Sequence, residues 1–134
     1  MQKSAYQSRI PILLVSEDRI LSDLVVLGLE KAGCWVTISN TPAEFFNLLE
    51  SIKPCIVLLD LFLSGWNGLE ILEVLKILGW LEKTHVIAIS GMGYKEIVNK
   101  AVSLGAVDFQ LKPIDLDELA KRIKKWVQIS PKTW

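Results

Sequence analysis

Short apolar runs alternate with amphipathic stretches along this chain. Five runs rich in Ile, Val and Leu predict β-strands at residues 10–15, 35–39, 55–60, 85–90 and 107–111. Five stretches with helical spacing follow them in turn, at residues 19–32, 42–52, 68–79, 94–104 and from 116 onward. Strands that alternate with helices pair in parallel through right-handed crossovers, so the pattern predicts an α/β fold, a doubly wound (βα)5 three-layer sandwich.

The central predicted strand, residues 55–60, is apolar until its last residue. An uninterrupted apolar run is typical of a strand that is buried on both faces of a sheet. Asp60 then stands at the carboxyl end of the strand, at the edge of a parallel sheet where ligands bind. Considered alone, this strand end fits a reactive carboxylate and a turn-capping aspartate equally well.

The second predicted helix has the clearest start in the sequence. Thr41 suits the N-cap, Pro42 the first helical position, and Glu44 the partner position of a capping box. Lys53-Pro54 stops the helix. Its predicted buried face comprises Phe45, Leu48, Leu49 and Ile52.

Two other predicted helices have apolar residues at helical spacing. The first ends at Gly33, and its dominant face comprises Ile20, Leu24, Leu27 and Lys31, with Leu21 and Val25 alongside. The third helix is apolar over more than one face, which indicates either deep packing or a docking surface.

The composition argues against several classes of protein. The 134 residues fit one domain, and Lys plus Arg equal Asp plus Glu at 15 each, so the formal charge is zero. A chain without a basic patch is not expected to bind nucleic acid directly. No apolar run is long enough for a membrane span and residues 1–9 are polar, so a cytoplasmic protein is expected. Cys34 and Cys55 match no metal-ligand spacing and are expected to be reduced, largely buried thiols.

Polar groups follow four of the predicted strands. They are Ser16-Glu17-Asp18, Asp60, Ser90 and Lys112. The carboxyl ends of parallel strands lie along one edge of the sheet, so these groups are expected to lie close together. Carboxylates supply oxygen ligands for Mg²⁺, and an ammonium group adds positive charge, so the set suits binding of a cation and a phosphoryl group.

From about Ile10 to Ile129, the sequence resembles the CheY-like receiver domain of two-component response regulators. Residues 60–68, DLFLSGWNG, are similar to the family's phosphoacceptor loop, which has Asp, two or three apolar residues, Pro, Gly, any residue, Asp or Asn, then Gly. Residues 105–113, GAVDFQLKP, resemble the fifth-strand signature, and residues 86–91 resemble the strand that ends in a switch Thr or Ser. The resemblance implies a flavodoxin-like strand order of 2-1-3-4-5.

The resemblance also implies the roles of individual residues. Asp60 would accept a phosphoryl group from a sensor histidine kinase or a histidine phosphotransfer protein. Lys112 would contact the phosphate, Ser90 would be the switch hydroxyl and Phe109 the switch aromatic. Pro113 would follow a cis peptide bond. Movement of Phe109 would alter the surface of the fourth helix, fifth strand and last helix.

Mg²⁺ would be the cofactor by the same resemblance. Its ligands would be Glu17, Asp60 and the backbone carbonyl of Phe62, with Asp18 as a further candidate. The family usually has two adjacent acidic residues after the first strand, and Ser16 takes the place of one of them. The lost charge is expected to weaken Mg²⁺ binding.

The resemblance implies a signalling domain rather than an enzyme, with self-catalysed phosphoryl transfer and autodephosphorylation as its only chemistry. The expected division is a flexible arm at residues 1–9, the receiver domain at 10–129 and a tail at 130–134, with no output domain among them. Whether the chain stands alone or is part of a larger protein is open. A downstream protein or an output domain would recognise the altered surface, and a homodimer could form there.

Two alternatives use the same architecture. A divergent pseudo-receiver would act as a phosphorylation-independent interaction module; Ser16 favours it, whereas Asp60, Ser90, Phe109 and Lys112 oppose it. A nucleotide-binding or flavin-binding enzyme is disfavoured, because the Gly-Met-Gly at residues 91–93 lacks the third glycine of a dinucleotide site and no Walker lysine spacing occurs.

Overall fold

The structure, a computed structural model, describes residues 9–129. Within that range, five parallel strands form one sheet in the order β2-β1-β3-β4-β5, with bounds β1 Ile10–Val15, β2 Cys34–Ser39, β3 Ile56–Asp60, β4 His85–Ser90 and β5 Asp108–Leu111. The helices are α1 Arg19–Lys31, α2 Pro42–Ile52, α3 Gly68–Ile77, α4 Lys95–Ser103 and α5 Leu116–Ile129. The doubly wound sandwich and its strand order are confirmed. The predicted arm, apart from Arg9, and the predicted tail lie outside the described residues.

Successive side chains of the strands build two cores, one on each face of the sheet. Val57 and Leu59 of β3 belong to the core under α2, α3 and α4, whereas Ile56 and Leu58 belong to the core under α1 and α5. All five residues of β3 are buried, as the uninterrupted apolar run predicts. The two cores fix β3 from both sides and hold Asp60 at the sheet edge.

The buried side of α1 is not the predicted dominant face. Leu21, Val25 and Leu29 are buried, whereas the apolar residues of the dominant face, Ile20, Leu24 and Leu27, are 76%, 51% and 61% exposed. Apolar residues occupy adjacent stripes of this helix, so their spacing alone does not select the stripe that meets the sheet. Contact with α5 also affects how α1 is rotated about its own axis. Gly28 lies so close to α5 that a Cβ at this position would stand 2.8 Å from Leu116 Cδ1.

Helix α2 begins at the predicted cap. The Thr41 hydroxyl accepts a hydrogen bond from the Glu44 backbone N–H at 3.2 Å, and Pro42 is the first helical residue. Phe45 and Leu49 are fully buried in the core.

Thr41→Ala is expected to lower the free energy of unfolding by about 1 kcal/mol, because the first turn of α2 loses its side-chain acceptor. Urea unfolding followed by circular dichroism measures this change. Thr41→Ser keeps the hydroxyl and should unfold close to wild type; an equal loss in both variants would contradict the capping role.

A small antiparallel hairpin occupies the segment between β3 and α3, which the sequence predicts only as a loop. Phe62–Leu63 pairs with Trp66–Asn67, and Gly65 turns between them with a φ of 77°. The Asn67 side chain then caps α3 by accepting the Leu69 N–H at 2.8 Å. This segment, the loop hairpin (residues 62–67), lies directly beside Asp60.

Across residues 9–129, no helix combines the length and the apolar character needed to cross a membrane. Cys34 and Cys55 are both free, as predicted; Cys34 is buried and Cys55 is half-buried. Burial raises the pKa of both thiols.

Candidate functional site

The candidate site lies at the carboxyl edge of the sheet, where four strand ends meet. Asp60 ends β3 and is 3% exposed, and Ser90 ends β4 and is fully buried. Ser16 follows β1 and is buried, and Lys112 follows β5. The polar groups that the sequence places at strand ends are therefore neighbours along one edge.

Lys112 makes the shortest polar contact to Asp60. Its Nζ lies 2.8 Å from Asp60 Oδ2 and 3.4 Å from Asp18 Oδ2. Burial lowers the pKa of Lys112, but the hydrogen bond and charge of Asp60, together with the charge of Asp18, outweigh it, and the net pKa is raised. This ion pair stabilises the fold below the ordinary lysine pKa and is lost as the pH rises through the raised value.

The backbone around Lys112 fixes the position of its side chain. The Lys112 N–H donates to the Ser90 carbonyl at 2.9 Å, which continues the pairing of β5 with β4. The Lys112-Pro113 peptide bond is cis, as the resemblance of residues 105–113 implies.

Ser16 replaces an expected charge with a hydroxyl that bonds directly to Asp60. Its Oγ donates to Asp60 Oδ2 at 3.2 Å and accepts the Asp18 N–H at 3.0 Å. Asp60 Oδ2 therefore accepts hydrogen bonds from both the Lys112 ammonium and the Ser16 hydroxyl. Asp60 Oδ1 accepts the Phe62 N–H at 3.4 Å. The hydroxyl supplies a hydrogen bond to the carboxylate but no negative charge for a cation.

Asp18 acts in two contacts at once. Its Oδ1 accepts the Leu21 N–H at 3.0 Å and caps α1, while its Oδ2 faces Lys112. The hydrogen bond from Leu21 is the main cause that lowers the pKa of Asp18; burial opposes this, and the charge of Lys112 adds to it.

Asp18→Asn is expected to remove a pH-dependent part of the stability, at most about 1 kcal/mol at neutral pH, because such a partly exposed ion pair is weak. The folded pKa of Asp18 is lowered, so its contribution is present above the ordinary value of 3.8 and is lost as the pH falls through the folded pKa. Asparagine also caps helices, so the cap should remain. Urea unfolding should show the two proteins differing at neutral pH and converging in acid; a difference that stays constant with pH would contradict the charge effect.

The Glu17 carboxylate contacts the loop hairpin. Its Oε2 accepts a hydrogen bond from the Ser64 hydroxyl, and its Oε1 accepts the Trp66 Nε1–H at 3.3 Å. Glu17 and Ser64 are exposed, whereas Trp66 is half-buried and packs against the core under α2, α3 and α4. Sequence reasoning missed this contact, although both donors lie within six residues after Asp60.

Oxygen donors suited to a hard cation surround this edge. Asp60 and the Phe62 backbone come from one segment, and Glu17 and Asp18 come from another. Mg²⁺ commonly keeps several waters and needs only one or two protein carboxylates, so this donor chemistry fits it. Within residues 9–129, however, no three His, Cys, Asp or Glu side chains are placed together to hold a metal ion. Both Glu17 carboxylate oxygens accept hydrogen bonds from Ser64 and Trp66 instead.

The two predicted switch residues lie on neighbouring strands. The Ser90 hydroxyl accepts the Met92 N–H at 2.9 Å. Phe109 of β5 pairs with Ala88 of β4 and is half-buried against the core under α2, α3 and α4. Ser90 thus lies at the site edge, one strand away from the half-buried Phe109.

Comparisons with known proteins agree on one family. Residues 12–124 match the protein-family model for the response regulator receiver domain. The chain is 33% identical over 120 residues to the transcriptional regulatory protein CrdR of Helicobacter pylori, covering 90% of this chain and 56% of that protein. It is 26% identical over 118 residues to sporulation initiation phosphotransferase F of Bacillus subtilis, covering 88% of this chain and 94% of that protein. The chain thus spans little more than half of the first relative and nearly all of the second.

A solved structure matches over the same extent. The crystal structure of a response regulator from Thermotoga maritima superposes with a TM-score of 0.79 at 31% identity, covering 89% of this chain and 98% of that chain.

Proposed function

This chain belongs to the response regulator receiver domain family, and we propose that Asp60 is the residue on which it accepts a phosphoryl group. The main support for this proposal is the contact between the Asp60 carboxylate and the Lys112 ammonium, which lie 2.8 Å apart at the carboxyl edge of the sheet. The phosphodonor would be a phosphohistidine of a sensor histidine kinase or of a histidine phosphotransfer protein.

The transfer is an in-line displacement at phosphorus. An Asp60 oxygen forms the new O–P bond while the P–N bond to the donor histidine breaks, and the electron pair stays on the imidazole nitrogen, which takes up a proton. Lys112 balances the charge of the phosphoryl oxygens, and Ser16 donates a hydrogen bond at the same carboxylate. Bound Mg²⁺ would neutralise further negative charge on the transferred group. We assign it to Asp60, Glu17 and the Phe62 carbonyl.

Phosphorylation then shifts a two-state equilibrium. The new phosphoryl oxygens attract the Ser90 hydroxyl, which gives up the Met92 N–H and moves toward Asp60. Phe109 turns into the space that Ser90 leaves, and the surface of α4, β5 and α5 changes. A downstream protein or an output domain would read this surface, and a homodimer through it is part of the proposal.

Phosphoryl loading tests the proposed function directly. The wild-type chain is incubated with acetyl phosphate and MgCl₂, and intact-mass spectrometry detects the adduct. A single adduct that is lost on alkaline hydrolysis, as an acyl phosphate is, supports the proposal. A chain that stays unmodified with donor and Mg²⁺ in excess would overturn it and leave a phosphorylation-independent interaction module.

Ser90→Ala is expected to keep phosphoryl loading and to lose most of the Phe109 response. A hydrogen bond to a charged group contributes about 1.5–3 kcal/mol, so its loss should shift the switch equilibrium about tenfold or more toward the resting state. NMR of the phosphorylated variant measures the population of the Phe109 states. Ser90→Thr keeps the hydroxyl and serves as the control; a full response in Ser90→Ala would contradict the role of Ser90.

A further inference from the structure

The carboxylate of Glu17 is held at both of its oxygens by the loop hairpin. Ser64 donates to Oε2 and Trp66 to Oε1, and the turn at Gly65 lies between the two donors. The Trp66 ring is half-buried against the core, so its N–H is a fixed donor rather than a freely moving surface group. Hydrogen bonds to an ionised acceptor are stronger than neutral ones, so this arrangement holds Glu17 in place.

Among the three polar residues after β1, Glu17 is the best candidate for a second carboxylate ligand of a cation beside Asp60. Ser16 offers no charge. Asp18 is engaged by the Leu21 N–H of the helix cap and by Lys112, so it would have to weaken both contacts to reach a cation. The two hydrogen bonds of Glu17, in contrast, involve only the loop hairpin, and they compete with a cation for the same carboxylate oxygens.

We propose that Ser64 and Trp66 are positioning residues that hold Glu17 in a withdrawn position, and that a divalent cation beside Asp60 draws Glu17 away and frees the loop hairpin. The cation-bound chain then differs from the resting chain at residues 62–67 before any phosphoryl group arrives. The inference rests on the proposed cation site but not on phosphoryl transfer, so the two can fail separately.

Two-dimensional ¹H–¹⁵N NMR with MgCl₂ alone tests this coupling. The indole N–H signal of Trp66 is assigned by its loss in Trp66→Phe. We expect this signal and the Asp60 and Phe62 amides to shift with one common dissociation constant. Ser64→Ala removes a competing donor and should tighten Mg²⁺ binding about threefold to tenfold, whereas Ser64→Thr should bind like wild type.

Two results would overturn the proposal. The first is a shift of the Asp60 and Phe62 amides while the Trp66 indole stays fixed and Ser64→Ala binds Mg²⁺ like wild type; the proposed function would survive that result. If the wild-type chain shows no Mg²⁺-dependent shifts, the same titration is repeated on the double variant Ser64→Ala, Trp66→Phe, with the Asp60 and Phe62 amides as reporters. Binding recovered in the double variant supports the competition, and no binding is the second result against it. Acetyl phosphate loading reports separately on the proposed function.

Discussion

Asp60→Asn should reduce phosphoryl loading below detection while the chain stays folded. Asparagine has nearly the shape of aspartate, so it fits a side chain that is 3% exposed at the end of β3. Its amide oxygen can still accept from Lys112, which lies at 2.8 Å in the wild type. What it lacks is the anionic oxygen that attacks phosphorus, so the transfer has no nucleophile. Intact-mass spectrometry after incubation with acetyl phosphate and MgCl₂ measures the loss.

Asp117→Asn is the matched control for this variant. Asp117 is an exposed carboxylate in the first turn of α5. Its substitution therefore makes the same chemical change at a position away from Asp60. It should load to the wild-type extent. Loading of Asp60→Asn at the wild-type level would place the acceptor on another side chain and contradict the assignment.

Gly68→Ala should lower the free energy of unfolding by about 3 kcal/mol, the upper end of the usual range for overpacking. A Cβ at this position would stand 2.5 Å from Leu61 Cα and 2.8 Å from the Asp60 carbonyl oxygen. These are backbone atoms, and the Gly68 N–H also donates to the Leu61 carbonyl at 3.0 Å, so α3 cannot move aside without breaking this contact. The clash pushes on the segment that holds Asp60, so phosphoryl loading should fall as well.

Gly91→Ala is the control for the glycine substitution. Nothing lies within 4 Å of a Cβ at Gly91, and its φ is outside the left-handed region. Its free energy of unfolding should stay within about 1 kcal/mol of wild type, since alanine at a compatible position mainly restricts the unfolded chain. Urea unfolding of both variants measures the difference; equal effects would contradict the close approach of α3 to β3.

Hydrophobic periodicity predicts most of this fold because each strand and helix buries its own apolar residues. The bounds of β4 follow directly from the sequence, and α2 follows from its Thr41 cap. The buried side of α1 does not, since Ile20, Leu24 and Leu27 are exposed. On a helix that is apolar over a wide arc, the packed stripe depends on tertiary contacts such as the one between Gly28 and Leu116.

The site was predictable at the level of strand ends and not at the level of side-chain partners. The edge of a parallel sheet brings Asp60, Ser90 and Lys112 together whatever their rotamers. The bonds of Glu17 to Ser64 and Trp66 depend on the loop hairpin, a two-residue ladder whose strands are too short to show periodicity. The family resemblance therefore predicts Glu17 as a cation ligand but does not show that the loop hairpin holds its carboxylate.

We propose that a phosphoryl group on Asp60 changes the surface at Phe109. Amide NMR with MgCl₂ and beryllofluoride, a mimic of the aspartyl phosphoryl group, measures both ends of this coupling in one experiment. We expect large Mg²⁺-dependent shifts at Asp60, Ser90 and Phe109 in the wild type, and none of the beryllofluoride-dependent shifts in Asp60→Asn. An unchanged wild-type spectrum, or the same shifts in Asp60→Asn, would contradict the phosphoryl switch.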